Sequence, residues 1–175
     1  MNSFDKVIGY KSIKRELLQI CDMIRNRTIY EKMGARLPHG LLLYGDPGLG
    51  KSLLANCFME ECGLNTVTVR RDKGGDAFIN SIAQAFAKAK EEAPSVLLLD
   101  DMDKFANEDS SRCDAPEYVA VQAGIDDVKE TAVFVIATAN EIRKLPDSLC
   151  RSGRFDRKIR IQPPTAADAE AIIAH

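Results

Sequence analysis

A glycine-rich octapeptide has residue types and spacing suited to binding phosphate: Gly45-Asp46-Pro47-Gly48-Leu49-Gly50-Lys51-Ser52. It matches the pattern Gly-x-x-x-x-Gly-Lys-Ser/Thr, and it lies between an apolar run and a helical pattern, the context that this motif requires. Backbone N–H groups of such a loop can face an anion, and a helix beginning near Gly50 adds the positive end of its dipole. We therefore expect Lys51 to contact the β- and γ-phosphates of a nucleotide and Ser52 to ligate Mg²⁺. The alternative is a glycine-rich turn that only joins two elements.

A second group of polar residues follows the apolar run Leu97-Leu98-Leu99, where Asp100, Asp101 and Asp103 come in quick succession. Ligands of open α/β sheets bind at the carboxyl ends of the strands, so carboxylates here are well placed to meet a metal ion. We expect Asp100 to bind Mg²⁺, through a coordinated water, and Asp101 to polarise the attacking water. Asp103 is better explained as a local hydrogen-bonding or capping residue. Taken alone, acids at a strand end are often solvated loop residues.

The hydrophobic pattern alternates between helical and strand periods along the chain. It predicts helices over 12–25, from Lys51 to a left-handed Gly63, from about 78 to 89, and over 116–125. It predicts strands over 41–44, 66–69, 96–99, 132–137 and 158–161. This alternation is typical of an α/β fold in which a parallel sheet is covered by helices on both faces.

Composition is ordinary for a globular chain of 175 residues, with 45% hydrophobic and 29% charged residues and a net charge of −2. These values exclude a disordered or collagenous chain and give no indication of a nucleic-acid tail. The apolar runs are too short to cross a bilayer, and the first residues lack a signal-peptide pattern. Five cysteines without a Cys-x-x-Cys pair favour reduced packing residues and a cytoplasmic protein over a disulfide or zinc framework.

Near the carboxyl end, Thr165 and Asp168 form a capping-box-like start of one more helix, which runs to His175. We interpret 1–162 as the nucleotide-binding unit and 163–175 as the start of a helical lid that is truncated. The alternative is a natural C-terminal helix of one and a half turns.

The phosphate loop, the strand ending in Asp100-Asp101, the segment Ala137-Thr138-Ala139-Asn140 and the stretch from Leu145 to Arg157 together resemble the AAA family of ATPases. The last stretch, which contains Arg151-Ser152-Gly153-Arg154-Phe155-Asp156-Arg157, is similar to that family's second region of homology. The opening Phe4-Asp5-Lys6-Val7-Ile8-Gly9 and the segment 34–40 look most like the ATPase module of FtsH-type membrane-anchored proteases. The resemblance covers nearly the whole chain.

The resemblance implies a P-loop NTPase fold with five parallel strands, and it implies roles for several residues. Ile8 and Gly9 would line the adenine pocket, and Leu53 would join the phosphate loop in contacting the nucleotide. Asn140 would be the polar sensor that orients water near the γ-phosphate. Arg151 and Arg154 would be arginine fingers that act on the nucleotide of a neighbouring subunit, which implies a ring, usually of six. Read without the family, Arg151 and Arg154 would be a solvated surface pair.

Three departures from the family pattern affect the expected function. Asp101 stands where Glu is usual, which shortens the side chain by one methylene and predicts slow hydrolysis. The segment 70–76 lacks the aromatic residue of the family's pore loop, although Lys73 could contact a substrate; the alternative is a polar connecting turn. Glu141 stands where a basic residue is common, which would alter contacts between subunits.

These observations predict ATP binding and Mg²⁺-dependent ATP hydrolysis that drives protein remodelling or delivers substrate to an attached protease. The chain contains no His-Glu-x-x-His motif, so it carries no zinc protease centre itself. The alternative is a nucleotide-binding regulatory or scaffold module with little turnover. A DNA-replication ATPase is disfavoured because the chain is mildly acidic and has no basic reader helix.

Overall fold

A computed structural model of the chain describes residues 2–71, 75–106, 116–151 and 153–173. Six α-helices are found in these ranges: α1 (Lys11–Arg25), α2 (Arg27–Lys32), α3 (Lys51–Cys62), α4 (Asp76–Glu91), α5 (Pro116–Val128) and α6 (Ala166–Ile173). Five strands accompany them: β1 (Gly40–Tyr44), β2 (Asn65–Arg70), β3 (Ser95–Asp100), β4 (Val133–Ala139) and β5 (Arg157–Arg160).

The five strands form one parallel sheet in the order β2-β3-β4-β1-β5. The register places Tyr44 beside Ala139 and Arg160, and Arg70 beside Asp100. All five strands therefore end at the same edge of the sheet. The residues that follow β1, β3 and β4 meet there, as expected for the carboxyl edge of an open α/β sheet.

Helices cover both faces of the sheet, and each face has its own apolar core. Alternate residues of one strand enter different cores: Leu41 and Leu43 pack with α1 and α3, whereas Leu42 packs with α4 and α5. The central strands β3 and β4 are buried along their whole lengths. Burial on both faces explains their continuous apolar sequence, which is typical of parallel strands between helical layers.

The predicted fold, a P-loop NTPase arrangement with five parallel strands between helices, is confirmed. Four strands, β1 to β4, are one or two residues longer than the sequence indicated; β2, for example, extends to Arg70 and β4 to Ala139. Gly63 caps α3 in the left-handed conformation at φ +62°, as predicted. The Thr165 hydroxyl accepts a hydrogen bond from the Asp168 backbone N–H at 3.2 Å, which is the predicted cap of α6.

Helix α2 lies in a stretch for which the sequence indicated only polar chain. None of its residues is buried, so it has no apolar stripe that a periodicity search could detect. An ion pair between Arg27 and Glu31, one turn apart at 2.7 Å, supports the helix instead.

Four cysteines fall within the described ranges, and all are free thiols: Cys21, Cys57 and Cys62 are buried and Cys150 is half-buried. Cys113 lies outside those ranges. In the same part of the chain, no helix combines the length and apolar character needed to span a bilayer.

Candidate nucleotide-binding site

The glycine-rich loop connects the end of β1 to the start of α3. It is held from both sides: the Gly45 N–H donates to the Ala139 carbonyl at 3.3 Å, and the Ile161 N–H donates to the Tyr44 carbonyl at 2.7 Å. A Cβ atom on Gly45 would lie 2.2 Å from the Ile161 carbonyl oxygen, so this first position has room only for glycine. The β1 end thus fixes where the loop begins.

Lys51 opens α3, and its side chain turns back into the loop. The ammonium donates to the carbonyl oxygens of Gly45 and Asp46, each at 2.8 Å. Burial lowers the pKa of the Lys51 ammonium, while the carboxylates of Asp101 and Asp103 oppose that change. A buried cation inside a ring of backbone groups is suited to attract a polyphosphate.

Ser52 and Asp100, the two residues predicted to hold Mg²⁺, lie together at the carboxyl edge. The Ser52 hydroxyl donates to Asp100 Oδ1 at 2.8 Å, and the Thr138 hydroxyl of β4 donates to the same oxygen at 2.7 Å. Asp100 is buried. A hydroxyl and a carboxylate are the hard oxygen ligands that Mg²⁺ accepts, and the nearby Gly48 and Gly50 face open space. These residues therefore fit a magnesium–nucleotide complex.

Asp101 follows β3 in the left-handed conformation, with φ +55°. Its backbone N–H donates to the Thr138 hydroxyl at 2.8 Å, and its carboxylate accepts from the Lys104 ammonium at 2.6 Å. A non-glycine residue in this conformation is uncommon and is often found at functional sites. The Asp101 carboxylate is thus ion-paired with Lys104, three residues further along the chain.

Asp103 connects the acidic turn to the end of β4. Its Oδ2 accepts hydrogen bonds from the backbone N–H groups of Asn140 at 3.1 Å and Glu141 at 3.3 Å. Asp103 is therefore a capping residue of the β4 exit, as expected. Through it, Asn140 is held beside the turn that carries Asp101.

The amino-terminal segment approaches the loop from the other side. Ile8 and Gly9 are half-buried there, and Gly9 is so close to α6 that an added Cβ would lie 2.8 Å from Asp168 Cγ. Sequence analysis missed Tyr10, whose hydroxyl reaches the carbonyls of Leu49 at 3.2 Å and Gln162 at 3.1 Å. Burial raises the pKa of Tyr10. A tyrosine directly after Ile8-Gly9 gave no local signal because only the fold brings residues 10, 49 and 162 together.

Arg154 does not join this group. Its backbone carbonyl lies against Gly40, the first residue of β1, where a Cβ would come within 2.6 Å of it. The phosphate loop follows the opposite end of β1, and five strand residues span about 13 Å. Arg151 is exposed, and the neighbouring Ser152 lies outside the described residues. Arg154 is thus separate from the phosphate loop of its own chain, and its N–H donates to the Arg151 carbonyl at 3.3 Å, which places the Arg151 backbone beside it.

Asp126 of α5 is a second residue that sequence analysis missed. It binds the Arg154 guanidinium through two hydrogen bonds of 3.0 and 2.7 Å, while the same guanidinium also donates to the Ser148 carbonyl. The Arg154 side chain is only 16% exposed, so it is not the solvated surface residue of the alternative reading. The hydrogen bonds from Arg154, together with the ion pair to Lys129 at 2.7 Å, lower the pKa of Asp126 to about 2.

Comparison with known proteins agrees with this architecture. Residues 41–163 match the family model "ATPase family associated with various cellular activities (AAA)". The chain is also similar to proteins named ATP-dependent zinc metalloprotease FtsH from Mycoplasma pneumoniae (34% identity) and Mycoplasma genitalium (33%), and FtsH 2 from Symbiobacterium thermophilum (32%). The alignments cover 97% to 98% of this chain but only 26% to 31% of those relatives. The chain therefore belongs to the AAA family of ATPases, and what it resembles is the ATPase portion of FtsH.

Proposed function

We propose that this AAA domain binds ATP and hydrolyses it with the help of Mg²⁺. The observation that carries the proposal is the pairing of Ser52 with Asp100 at 2.8 Å, directly beside the buried ammonium of Lys51. A cation for the phosphates and two oxygen ligands for a metal lie at one edge of the sheet. A glycine-rich turn that only joined two elements would not need a buried cation and two oxygen ligands beside it.

Each residue then has a defined task. Lys51 and the loop amides bind the β- and γ-phosphates, and Ser52 and Asp100 hold Mg²⁺, which supplies charge neutralisation on the phosphate oxygens. Asp101 polarises the attacking water, for which its carboxylate must exchange the Lys104 ammonium for that water. Asn140 orients the same water, since Asp103 holds the Asn140 backbone beside the turn that carries Asp101. Ile8, Gly9 and Leu53 contact the rest of the nucleotide.

We infer that Arg151 and Arg154 complete the site of a neighbouring copy rather than their own. The location of Arg154 near the amino end of β1 supports this arrangement, because the phosphate loop lies at the other end. A guanidinium delivered to a transferring phosphoryl group stabilises its developing charge. Head-to-tail contacts of this kind close into a ring, and we propose six subunits by resemblance.

The curated relatives are named ATP-dependent zinc metalloproteases, and this chain spans about a quarter to a third of their length. We propose that ATP turnover here drives remodelling of a protein substrate or its delivery to a protease domain. The free thiols of the described residues support a reducing compartment such as the cytoplasm. The substrate-contacting segment that would include Lys73 falls partly on residues 72–74, outside the described ranges.

One observation favours a second candidate, a nucleotide-binding regulatory module with little turnover. The Asp101 carboxylate is one methylene shorter than the usual Glu and is ion-paired with Lys104 at 2.6 Å. A base held by a cation polarises water less well. A single comparison separates the two functions, because the regulatory module binds nucleotide without hydrolysing it.

The experiment combines binding and turnover. Calorimetry with ADP and MgCl₂ should detect binding to the wild-type chain and none to Lys51→Ala, which removes the phosphate-binding cation. Phosphate release at high protein concentration should then fall about 100-fold in Asp101→Asn, with nucleotide affinity kept. Unchanged affinity in Lys51→Ala would refute the site, and a wild-type chain that binds nucleotide but releases no phosphate above background would favour the regulatory module.

A further inference from the structure

The carboxyl edge of the sheet also carries an arginine that has no role in the proposed phosphate loop and is not one of the proposed arginine fingers. Arg70 is the last residue of β2, and the parallel register places it directly beside Asp100, the last residue of β3. Its guanidinium Nη2 lies 3.1 Å from Asp100 Oδ2. The contact follows from strand register, since the strand extends one residue further than its β-branched run indicated.

The two oxygens of Asp100 therefore have different partners. Oδ1 accepts from the hydroxyls of Ser52 and Thr138, while Oδ2 contacts Arg70. The Asp100 side chain is 7% exposed, whereas Arg70 is 65% exposed. A buried carboxylate depends strongly on its neighbours for charge compensation, and an exposed arginine can leave at little cost.

We propose that Arg70 is a positioning residue of the magnesium site. Its guanidinium neutralises Asp100 and so weakens the coupling between Mg²⁺ binding and nucleotide binding. The inference rests on the proposed nucleotide site. Without metal, the guanidinium reduces repulsion between Asp100 and the phosphates, so nucleotide binds better than it would beside a bare carboxylate. With metal, Arg70 and Mg²⁺ compete for the negative charge of the same group.

Arg71 provides a matched control, because it carries the same charge one residue further along. Its guanidinium donates to the Lys104 carbonyl at 2.7 Å and lies 3.9 Å from Glu117, with no contact to Asp100. Replacing either arginine by glutamine removes one positive charge from the same edge. Only Arg70→Gln removes the direct contact with the proposed metal ligand.

The test measures the affinity for fluorescent mant-ADP in EDTA and in saturating MgCl₂. The coupling is the dissociation constant in EDTA divided by the dissociation constant in MgCl₂. We expect this ratio to rise about fivefold in Arg70→Gln relative to wild type, and to stay within about twofold in Arg71→Gln. In an Asp100→Asn background, Arg70→Gln should change the ratio no further, as a double-mutant cycle requires for a direct pair.

Each result is decisive. Equal ratios in Arg70→Gln and Arg71→Gln, or the same effect of Arg70→Gln with and without Asp100, would overturn the role of Arg70 while leaving the nucleotide site intact. A wild-type chain that does not bind mant-ADP under either condition would overturn the proposed function, and this inference with it. Circular dichroism melts of the variants show whether each chain is folded when its affinity is measured.

Discussion

At the scale of single residues, the geometry of the site depends on which oxygen atom accepts each hydrogen bond. Thr138 is an example, since its hydroxyl donates to Asp100 and accepts from the Asp101 N–H. One side chain of β4 thus contacts the carboxylate of Asp100, at the end of β3, and the backbone of Asp101, which follows it. The positions of Asp100 and Asp101 were predictable from the sequence, but their shared partner was not, because the two strands are 37 residues apart at this point.

Asp101→Glu tests whether the shorter side chain limits hydrolysis. The added methylene moves the carboxylate forward by about 1.5 Å, toward the water that it must polarise. We expect the turnover number to rise about tenfold, with the affinity for Mg-ADP unchanged, because a better base acts only on the chemical step.

The same substitution should lower thermal stability slightly, since Glu tolerates the left-handed backbone of residue 101 less well than Asp does. Phosphate release and melting curves measure the two effects separately. Turnover equal to or below that of the wild type would indicate that the base is not limited by reach.

Asp126→Asn tests the residue that holds Arg154. The pKa of Asp126 is depressed from 3.8 to about 2 in the folded chain, so its ionised form stabilises the fold. This contribution is complete above pH 4 and is lost as the pH falls through about 2. Because the side chain is 39% exposed, solvent screening limits the loss in the variant to about 1 kcal/mol.

Urea unfolding of both chains at pH 6 and near pH 2.5 measures this difference. The gap in the free energy of unfolding between wild type and Asp126→Asn should be present at pH 6 and should shrink toward pH 2.5. A gap that is independent of pH would mean that the ionised carboxylate is not the stabilising group.

At the scale of elements, packing between helices depends on small residues at close approaches. Helices α4 and α5 meet where Gly124 faces the ring of Phe86, and an added Cβ would lie 2.3 Å from that ring. The glycine was not noticed in the sequence because helical periodicity reports apolar positions, not how near a neighbouring helix comes. Its presence inside α5 is explained by this contact.

Gly124→Ala has two opposing effects on the free energy of unfolding. Alanine raises helix propensity by about 1 kcal/mol, whereas a methyl group forced against a buried ring costs about 1 to 3 kcal/mol. We expect a net loss of about 1 kcal/mol in the free energy of unfolding, measured with urea. Adding Phe86→Leu should make the alanine less harmful, since it removes the ring atoms that the methyl group meets. A stabilising Gly124→Ala would show that α4 and α5 can move apart freely.

At the scale of the whole molecule, the proposed nucleotide site and Arg154 lie at opposite ends of strand β1. The phosphate loop, Asp100, Asp101 and Asn140 lie at the carboxyl edge. Arg154 lies against the amino end of β1, and the neighbouring Asp156 ties it there by accepting from the His39 N–H at 3.1 Å. This separation supports the proposal that Arg154 serves the nucleotide site of another copy.

Mixing two inactive variants tests this arrangement. We expect Lys51→Ala to lose nucleotide binding while keeping Arg154, and Arg154→Ala to bind nucleotide while lacking the proposed finger. If arginines act between subunits, a random equimolar mixture places an intact loop beside an intact arginine at about a quarter of the interfaces. Phosphate release should therefore recover to about a quarter of the wild-type rate.

The control is a mixture of Lys51→Ala with the double variant Lys51→Ala/Arg154→Ala, in which every loop lacks its cation and no turnover is expected. Calorimetry should show that Arg154→Ala alone binds Mg-ADP as the wild type does. If the first mixture stays as inactive as this control, Arg154 acts within its own chain or not at all.

The amino-acid sequence was sufficient to predict the class of fold, the phosphate loop, the acidic strand end and the family. Each of these depends on local patterns, since helical and strand periods, turn glycines and short motifs are properties of neighbouring residues. It also predicted the caps at Gly63 and Thr165, which are equally local. The short helix α2 was not predicted, because an exposed helix has no apolar stripe that periodicity could detect.

Contacts between residues far apart in the chain became visible only in the three-dimensional fold. Arg70 contacts Asp100, Tyr10 reaches Leu49 and Gln162, and Asp126 binds Arg154. Strand order and register bring these residues together across separations that leave no periodic trace in the chain. The same topology places Arg154 and the phosphate loop at opposite ends of β1, so the distance between parts of the site is a property of the sheet and not of any motif.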